Sequence, residues 1–211
     1  RIAGATLFLL LEAVEEGHTG LPPEELAVLA DRFGIGRAQV HEALAELAAR
    51  TMVVIDKELV YPPPLYDAEV RLAADVGRML RRAVAALPEA AWRSERVMAA
   101  LETLHPLQRE AVEATATAPM VVLTGGPGTG KTTTVRAMVA LHTAAAHKVV
   151  LAAPTGRAAK RLSEATGHPA ATLHRLLEWN PRLGRFQRDR SSPLDADVVL
   201  VDEASMVDVQ L

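Results

Sequence analysis

Residues Gly125–Thr134 read GGPGTGKTTT. Gly125, Gly130, Lys131 and Thr132 satisfy the pattern G-x-x-x-x-G-K-[ST], and the run lies between an apolar segment, MVVLT (120–124), and a stretch with helical character (131–146). Glycines let the backbone turn tightly, so that successive N–H groups aim into one concavity. The start of a helix adds the positive end of its dipole. A loop built this way holds phosphate. Lys131 offers a mobile point charge for the outer phosphates and Thr132 a hydroxyl for Mg²⁺. The loop residues expected against a nucleotide are Gly126, Gly128, Thr129, Gly130, Lys131, Thr132 and Thr133.

Outward from the loop, apolar runs alternate with helical patterns. A helix over 106–116 precedes the segment MVVLT, which reads as a strand. Beyond the loop helix come a strand, KVVLAA (148–153), a helix (156–166), a short helix (172–179), a polar stretch (180–196), a strand, DVVLV (197–201), and a last turn entering a helix. Such alternation predicts an α/β lobe, a parallel sheet with helices on both faces. The run VVLVDE sets Asp202 at the end of its strand and Glu203 just past it. Asp202 joins Thr132 as a holder of Mg²⁺, and Glu203 is placed to polarise an attacking water. An adjacent acidic pair favours hydrolysis over transfer to a substrate hydroxyl. The candidate catalytic set is therefore Lys131, Asp202 and Glu203, in a chain expected to bind and hydrolyse a nucleoside triphosphate.

The 211 residues allow one large or two small domains, and a hydrophobic content of 49% supplies a core. There is no cysteine, which removes disulfides and thiolate metal sites. No apolar run is long enough to span a bilayer, and no signal peptide is evident. These features fit a cytoplasmic protein with no membrane contact. The first residue is Arg1 rather than Met, so a processed chain or a piece of a longer one is expected. Net charge is −3, yet the residues from Thr155 to Arg190 include eight basic and three acidic side chains, a local excess of +5. Read alone, that stretch fits either a phosphate-tracking surface or a solvated Arg-rich face.

Composition changes near residue 104. The preceding region, 1–103, reads as mostly helical, with helices over 5–17, 24–33, 37–49, 65–86 and 89–102. Between them MVVI (52–55) and LVY (59–61) form a small hairpin closed by Pro62–Pro64. Helix, turn, helix, hairpin over 24–64 is winged-helix order. The second helix of such a unit can read DNA, or the unit can pack against protein; Arg37, His41, Glu42, Glu46 and Arg50 mix both charges on its polar face. In the helix over 65–86, Val70, Ala73, Ala74, Val76, Met79 and Leu80 form the side expected to face inward.

Five segments, LHPLQREAV (104–112), GGPGTGKTT (125–133), AAPTGRAAKRL (152–162), TLHRLL (172–177) and VDEASM (201–206), resemble in order the Q motif, Walker A and motifs Ia, Ib and II of the RecD-like DNA helicases of superfamily one. The resemblance spans 104–211. Residues 1–100 more loosely resemble the region before the motor in the stand-alone, long-N-terminus branch, which is exonuclease V alpha-subunit-like. This implies a RecA-like motor lobe 1A using ATP and Mg²⁺, with Gln108 reading the adenine edge. Pro154, Thr155, Gly156 and Arg157 would touch a single-stranded DNA backbone, joined by His174. A small hairpin at about 180–193 would act as a pin at duplex junctions, Arg182, Arg185 and Arg188 facing the DNA and Phe186 stacking or wedging. The resemblance further implies 5′→3′ movement on single-stranded DNA in repair or recombination, a monomer, and a second RecA-like lobe later in the same chain. Two other readings stay open: an ATP-dependent switch subunit of a repair complex without unwinding, and a module whose N-terminal domain reads duplex DNA.

Overall fold

The computed structural model describes residues 1–126 and 128–211; Pro127, within the glycine loop, lies outside the described residues. The chain divides into two compact units, Arg1–Gly77 with Asp208–Leu211, and Arg78–Val207.

In the first unit, α1 (Ile2–Glu15), α2 (Pro23–Asp31) and α3 (Arg37–Ala49) precede a hairpin of β1 (Val54–Asp56) and β2 (Leu59–Tyr61) and the start of α4 (Pro63–Leu80). The boundaries have local causes. α1 stops where Gly17 turns left-handed at φ 100, and the N–H groups of Gly17 and His18 reach back to the carbonyls of Val14 and Ala13, a closure that satisfies the last helical carbonyls. α2 opens on Pro23 with Glu24 and Glu25 in its first turn, where a missing N–H costs nothing and negative charge meets the dipole. Leu21 makes an antiparallel bridge to Val60, N–H to carbonyl in both directions at 3.0 and 2.8 Å. The hairpin thus gains a third strand position, and the element order is that of a winged helix with α1 added. Leu10, Leu26, Val40 and Val60 are each at most 1% exposed and bind these elements into one core.

The basic side chains on and just beyond α3 lie beside carboxylates. Arg37 pairs with Glu24, His41 lies 3.6 Å from the same carboxylate, and Arg50 is 3.1 Å from Glu46. In α4 the apolar side expected to face inward is largely exposed, Val70, Ala73, Ala74, Met79 and Leu80 included, and Leu65 is the buried residue of the helix. Periodicity identifies an apolar stripe; it does not supply the surface that covers it.

The second unit begins earlier than residue 104. α5 (Glu89–Trp92) and α6 (Glu95–Glu102), expected as one helix, are separated at Arg93–Ser94, and they pack with α7 (Pro106–Thr115) and α8 (Lys131–Ala144). Ala91 and Val97 are buried beside Val112, Ala137, Met138 and Leu141. The division at Gly77 rather than 103 follows from this shared core. Then come β3 (Val149–Ala153), α9 (Gly156–Thr166), β4 (Ala170–Thr172), α10 (Leu173–Leu176), β5 (Trp179–Asn180), β6 (Arg185–Phe186), β7 (Val198–Val201) and a 3-10 turn over Ala204–Met206.

The sheet runs β4-β3-β7, all parallel, with Ala153 opposite Thr172 and Ala152 opposite Val201. α8 and α9 seal the side carrying Leu151, with Val139 and Leu162 buried against it. The alternate residues of β7, Val199 and Val201, remain 43% and 41% exposed. The segment 120–124 is not a strand: among the described residues its backbone forms no ladder with a neighbour, and Val122 is 74% exposed. An apolar run has strand propensity, but a strand exists only where a partner takes up its backbone hydrogen bonds.

Candidate nucleotide and nucleic-acid site

The glycine loop is fixed from both ends. Gly128 and Gly130 each adopt φ 78, and Gly130 is the N-cap of α8. A Cβ at Gly130 would collide with Nε2 of Gln108, and one at Gly125 would lie 2.7 Å from Thr129 Oγ1. The left-handed backbone favours glycine at Gly128 and Gly130, and at Gly125 and Gly130 any side chain would displace Thr129 or Gln108. Thr129 Oγ1 donates to the Gly126 carbonyl at 2.9 Å, and Lys131 Nζ donates to the carbonyls of Gly125 and Gly126 at 2.5 and 2.8 Å. α8 is anchored behind the loop by buried Thr134, whose Oγ1 donates to the Gly130 carbonyl at 3.2 Å. Thr132 and Thr133 are exposed at the helix start.

Gln108 closes the loop from outside. The sequence His-Pro-Leu-Gln starts α7, with His105 as N-cap, Pro106 at the first position, and the Oε1 of Gln108 accepting from the His105 N–H at 3.0 Å. Its Nε2 donates to the Thr129 carbonyl at 2.8 Å. Both ends of the amide are used, one to cap a helix and one to hold the loop.

Parallel pairing brings the other candidates to one edge, since the carboxyl ends of β3, β4 and β7 leave the sheet together. From β3, Pro154 leads to Thr155, whose Oγ1 caps α9 by accepting from the Ala158 N–H at 3.2 Å. From β4, Thr172 caps α10 in the same way through Arg175 N–H at 3.2 Å. From β7, the Asp202 N–H donates to the Ala152 carbonyl at 2.9 Å. Glu203 then turns left-handed at φ 54, with its N–H on Asp202 Oδ1 at 3.0 Å. A non-glycine residue in that region costs about 1 kcal/mol, and Thr51, Lys57, Ala146 and Glu178 share the conformation.

The donor set fits Mg²⁺-nucleotide. Thr132 and Asp202 offer hard oxygen donors, and among the described residues no cluster of three or more His, Asp or Glu gathers as a metal cage. Mg²⁺ commonly takes one or two protein oxygens and completes its shell with phosphate and water.

The basic stretch is only partly available. Gly156 and Arg157 are exposed at the start of α9, and Lys160 and Arg161 are exposed further along it. Arg182 and Arg185 are exposed on the β5–β6 hairpin. Arg188, expected to face DNA, binds Glu178 through Nε and Nη2 at 3.0 and 2.7 Å, folded back across the root of the hairpin. Phe186, expected to stack or wedge, packs within a ring cluster. It is half-buried, its ring 4.8 Å from Trp179 and 5.6 Å from His174, with His174 and Trp179 6.1 Å apart. The exposed apolar groups are Trp179 at 41% and Leu183, in the Pro181–Gly184 turn, at 56%. Sequence reading missed Trp179; the signal was one of only two tryptophans, directly after TLHRLLE. It also missed His142, buried in α8 with Nε2 3.0 Å from Thr115 Oγ1 and Nδ1 3.1 Å from His147 Nδ1.

A glycine loop at a helix start, an acidic pair at the carboxyl end of a parallel strand and helices capped at that same edge define a P-loop NTPase lobe. A family model described as an AAA domain matches residues 108–211. The chain is 33% identical over 223 residues to the ATP-dependent RecD2 DNA helicase of Deinococcus radiodurans, covering 97% of this chain and 30% of that protein. It is 36% identical over 184 residues to the RecBCD enzyme subunit RecD of Mycobacterium tuberculosis, 74% of this chain and 30% of that one. The ATP-dependent DNA helicase dda of Enterobacteria phage T4 is 35% identical over 97 residues, 43% of this chain and 22% of the phage protein. The chain belongs to the RecD-like helicases of superfamily one, and it spans less than a third of the length of these relatives. No helix among the described residues is long and apolar enough to cross a membrane.

Proposed function

We propose that this chain is the nucleotide-binding lobe of an ATP-driven helicase that moves 5′→3′ on single-stranded DNA and opens duplex junctions in repair or recombination. The observation that carries the reading is the shared carboxyl edge, from which Asp202 and Glu203 leave beside the capped starts of α9 and α10. A nucleotide-responsive acid pair and a strand-contacting surface on one edge is what coupling of hydrolysis to movement requires. The protein would act as a cytoplasmic monomer, with a second RecA-like lobe from the same chain completing the ATP site.

Lys131 would exchange the carbonyls of Gly125 and Gly126 for phosphate oxygens, replacing neutral acceptors with charged ones. The backbone from Gly126 to Thr133 would line the phosphates, and Gln108 would move its amide from Thr129 to the adenine edge. Thr132 and Asp202 would hold Mg²⁺, which neutralises phosphate charge when bound. Glu203, set off the strand by its left-handed backbone, would orient the attacking water and take its proton. Pro154, Thr155, Gly156, Arg157 and His174 would meet the DNA backbone, with Arg182 and Arg185 on the hairpin.

The test is ATP hydrolysis by the intact protein with and without single-stranded DNA, alongside Lys131→Ala. Stimulation by DNA that disappears in the variant is the expected result. Hydrolysis indifferent to DNA would remove the motor and leave an ATP-dependent switch in a repair complex.

A further inference from the structure

The hairpin between α10 and β7 carries an open cleft, of whose lining the motor reading uses only Arg182. It is about 540 Å³ and is lined by Glu178, Trp179, Asn180, Pro181, Arg182 and Gln187. Its floor is preorganised. Phe186 and His174 support the indole of Trp179 while 41% of that residue stays exposed. Glu178 holds φ 54, a left-handed turn that carries the chain from α10 into β5. Its carboxylate is neutralised by Arg188, so it does not repel an anion. Asn180 Oδ1 accepts from the N–H groups of Arg182 and Leu183 at 3.0 and 3.2 Å, which shapes the turn and leaves the Arg182 side chain exposed.

Gln187 gives the cleft a chemical preference. Its backbone N–H is taken by the carbonyls of Leu177 and Glu178 at 3.1 and 3.2 Å, but its side-chain Nε2 is buried with no hydrogen-bond partner. Buried polar groups are almost always satisfied, and an exception in a native site calls for an explanation. The terminal torsion of Gln is soft, so the amide can turn toward an acceptor entering the cleft. A partly exposed indole, an unused planar N–H donor and a neighbouring exposed guanidinium match three parts of one ligand: a π-surface, an acceptor on its edge and an attached phosphate.

We propose that this cleft takes one unstacked base of a single DNA strand, stacked on Trp179, with Gln187 donating to the base edge and Arg182 meeting the adjoining phosphate. The proposal rests on the reading that this lobe binds single-stranded DNA. Every base has a π-face, and both A and T present an acceptor on the minor-groove edge, so the site is tolerant of sequence. It sits at the root of the hairpin, where a strand can be gripped base by base.

The test is a scan of a thymidine oligonucleotide in which a single abasic site is moved along the strand. Affinity for the intact protein is measured for wild type, Trp179→Ala, Trp179→Phe and Gln187→Leu. In wild type one position is expected to lose about tenfold when its base is removed, the scale of one stacked base. That loss should vanish in Trp179→Ala, shrink in Gln187→Leu and persist in Trp179→Phe. In the unaltered protein, 5-iododeoxyuridine at the sensitive position should cross-link to the peptide containing Trp179, a readout that needs no variant. If wild type binds the strand but the abasic penalty is unchanged in Trp179→Ala and the cross-link maps elsewhere, the cleft assignment is overturned while the motor reading stands. Competition by thymidine monophosphate without any abasic position effect would make it a mononucleotide site and overturn it too. Failure of wild type to bind the strand at all sinks the motor reading first.

Discussion

Glu203 couples backbone strain to chemistry in a single residue. It sits at φ 54, where only glycine and, to a degree, asparagine are comfortable. A strained position of this kind persists when selection acts on the side chain rather than on stability. Glu203→Asn is expected to raise unfolding stability by a few tenths to about 1 kcal/mol, while DNA-stimulated hydrolysis falls about 10²- to 10⁴-fold, the scale of a lost general base. Denaturant titration and a turnover assay on the same preparation check both halves. A variant that is less stable than wild type, or one that still turns over, argues against the role assigned to this carboxylate. Gly130 shows the converse case. Its left-handed φ strains any side chain, and a Cβ there would also displace Gln108 Nε2, so glycine is favoured by local shape rather than by chemistry.

At the scale of elements, α8 carries the loop at one end and a histidine pair at the other. The Thr115 hydroxyl donates its one proton to the Val112 carbonyl at 2.6 Å, so it must accept from His142 Nε2–H. His142 is then the neutral Nε2–H tautomer, and its bare Nδ1 accepts from His147. Burial, and secondarily the charge of His147, holds His142 below the ordinary value of 6.5. The unfolded chain therefore binds this proton first. The stability contributed is fully present above pH 6.5 and is lost as pH falls toward the folded-state value. Thermal midpoints should fall on acidification, and His142→Gln should flatten that dependence while lowering stability at neutral pH by about 1–2 kcal/mol. An unchanged pH slope in the variant would assign the effect to other groups. Legibility in the sequence divides along similar lines. The glycine loop, α9, β3 and the acidic end of β7 were readable because each pairs a periodic pattern with a capping or motif residue. β4 was not, because Ala170–Thr172 has little strand character and pairs only because β3 lies beside it. The segment 120–124 failed in the other sense, with the propensity of a strand and no ladder. The ring cluster of His174, Trp179 and Phe186 is a tertiary contact that no local pattern announces.

For the whole molecule, the division at Gly77 decides which piece can fold alone. α5 and α6 lie before the recognisable motifs, yet Ala91 and Val97, each 1% exposed, belong to the core that supports α7 and α8. A chain begun at residue 104 should lose that layer. It is expected to melt well below one begun at Arg78, or to be insoluble, since uncovering even a few core side chains removes several kcal/mol. Calorimetry on the two pieces decides it, and equal stability would place the boundary near 103 after all. The pairing of β3 with β7 has a separate consequence, in time rather than in strength. Val149 meets Val198, and Lys148 meets Asp195 and Asp197, across 47 to 49 residues, whereas β3 meets β4 at much shorter range. Closing the longer loop is the slower event. β7 is therefore expected to dock after β3, α9 and β4 have formed, so that Asp202 and Glu203 take their places late in folding. Any hydrolysis that depends on these carboxylates would thus wait until the sheet is complete.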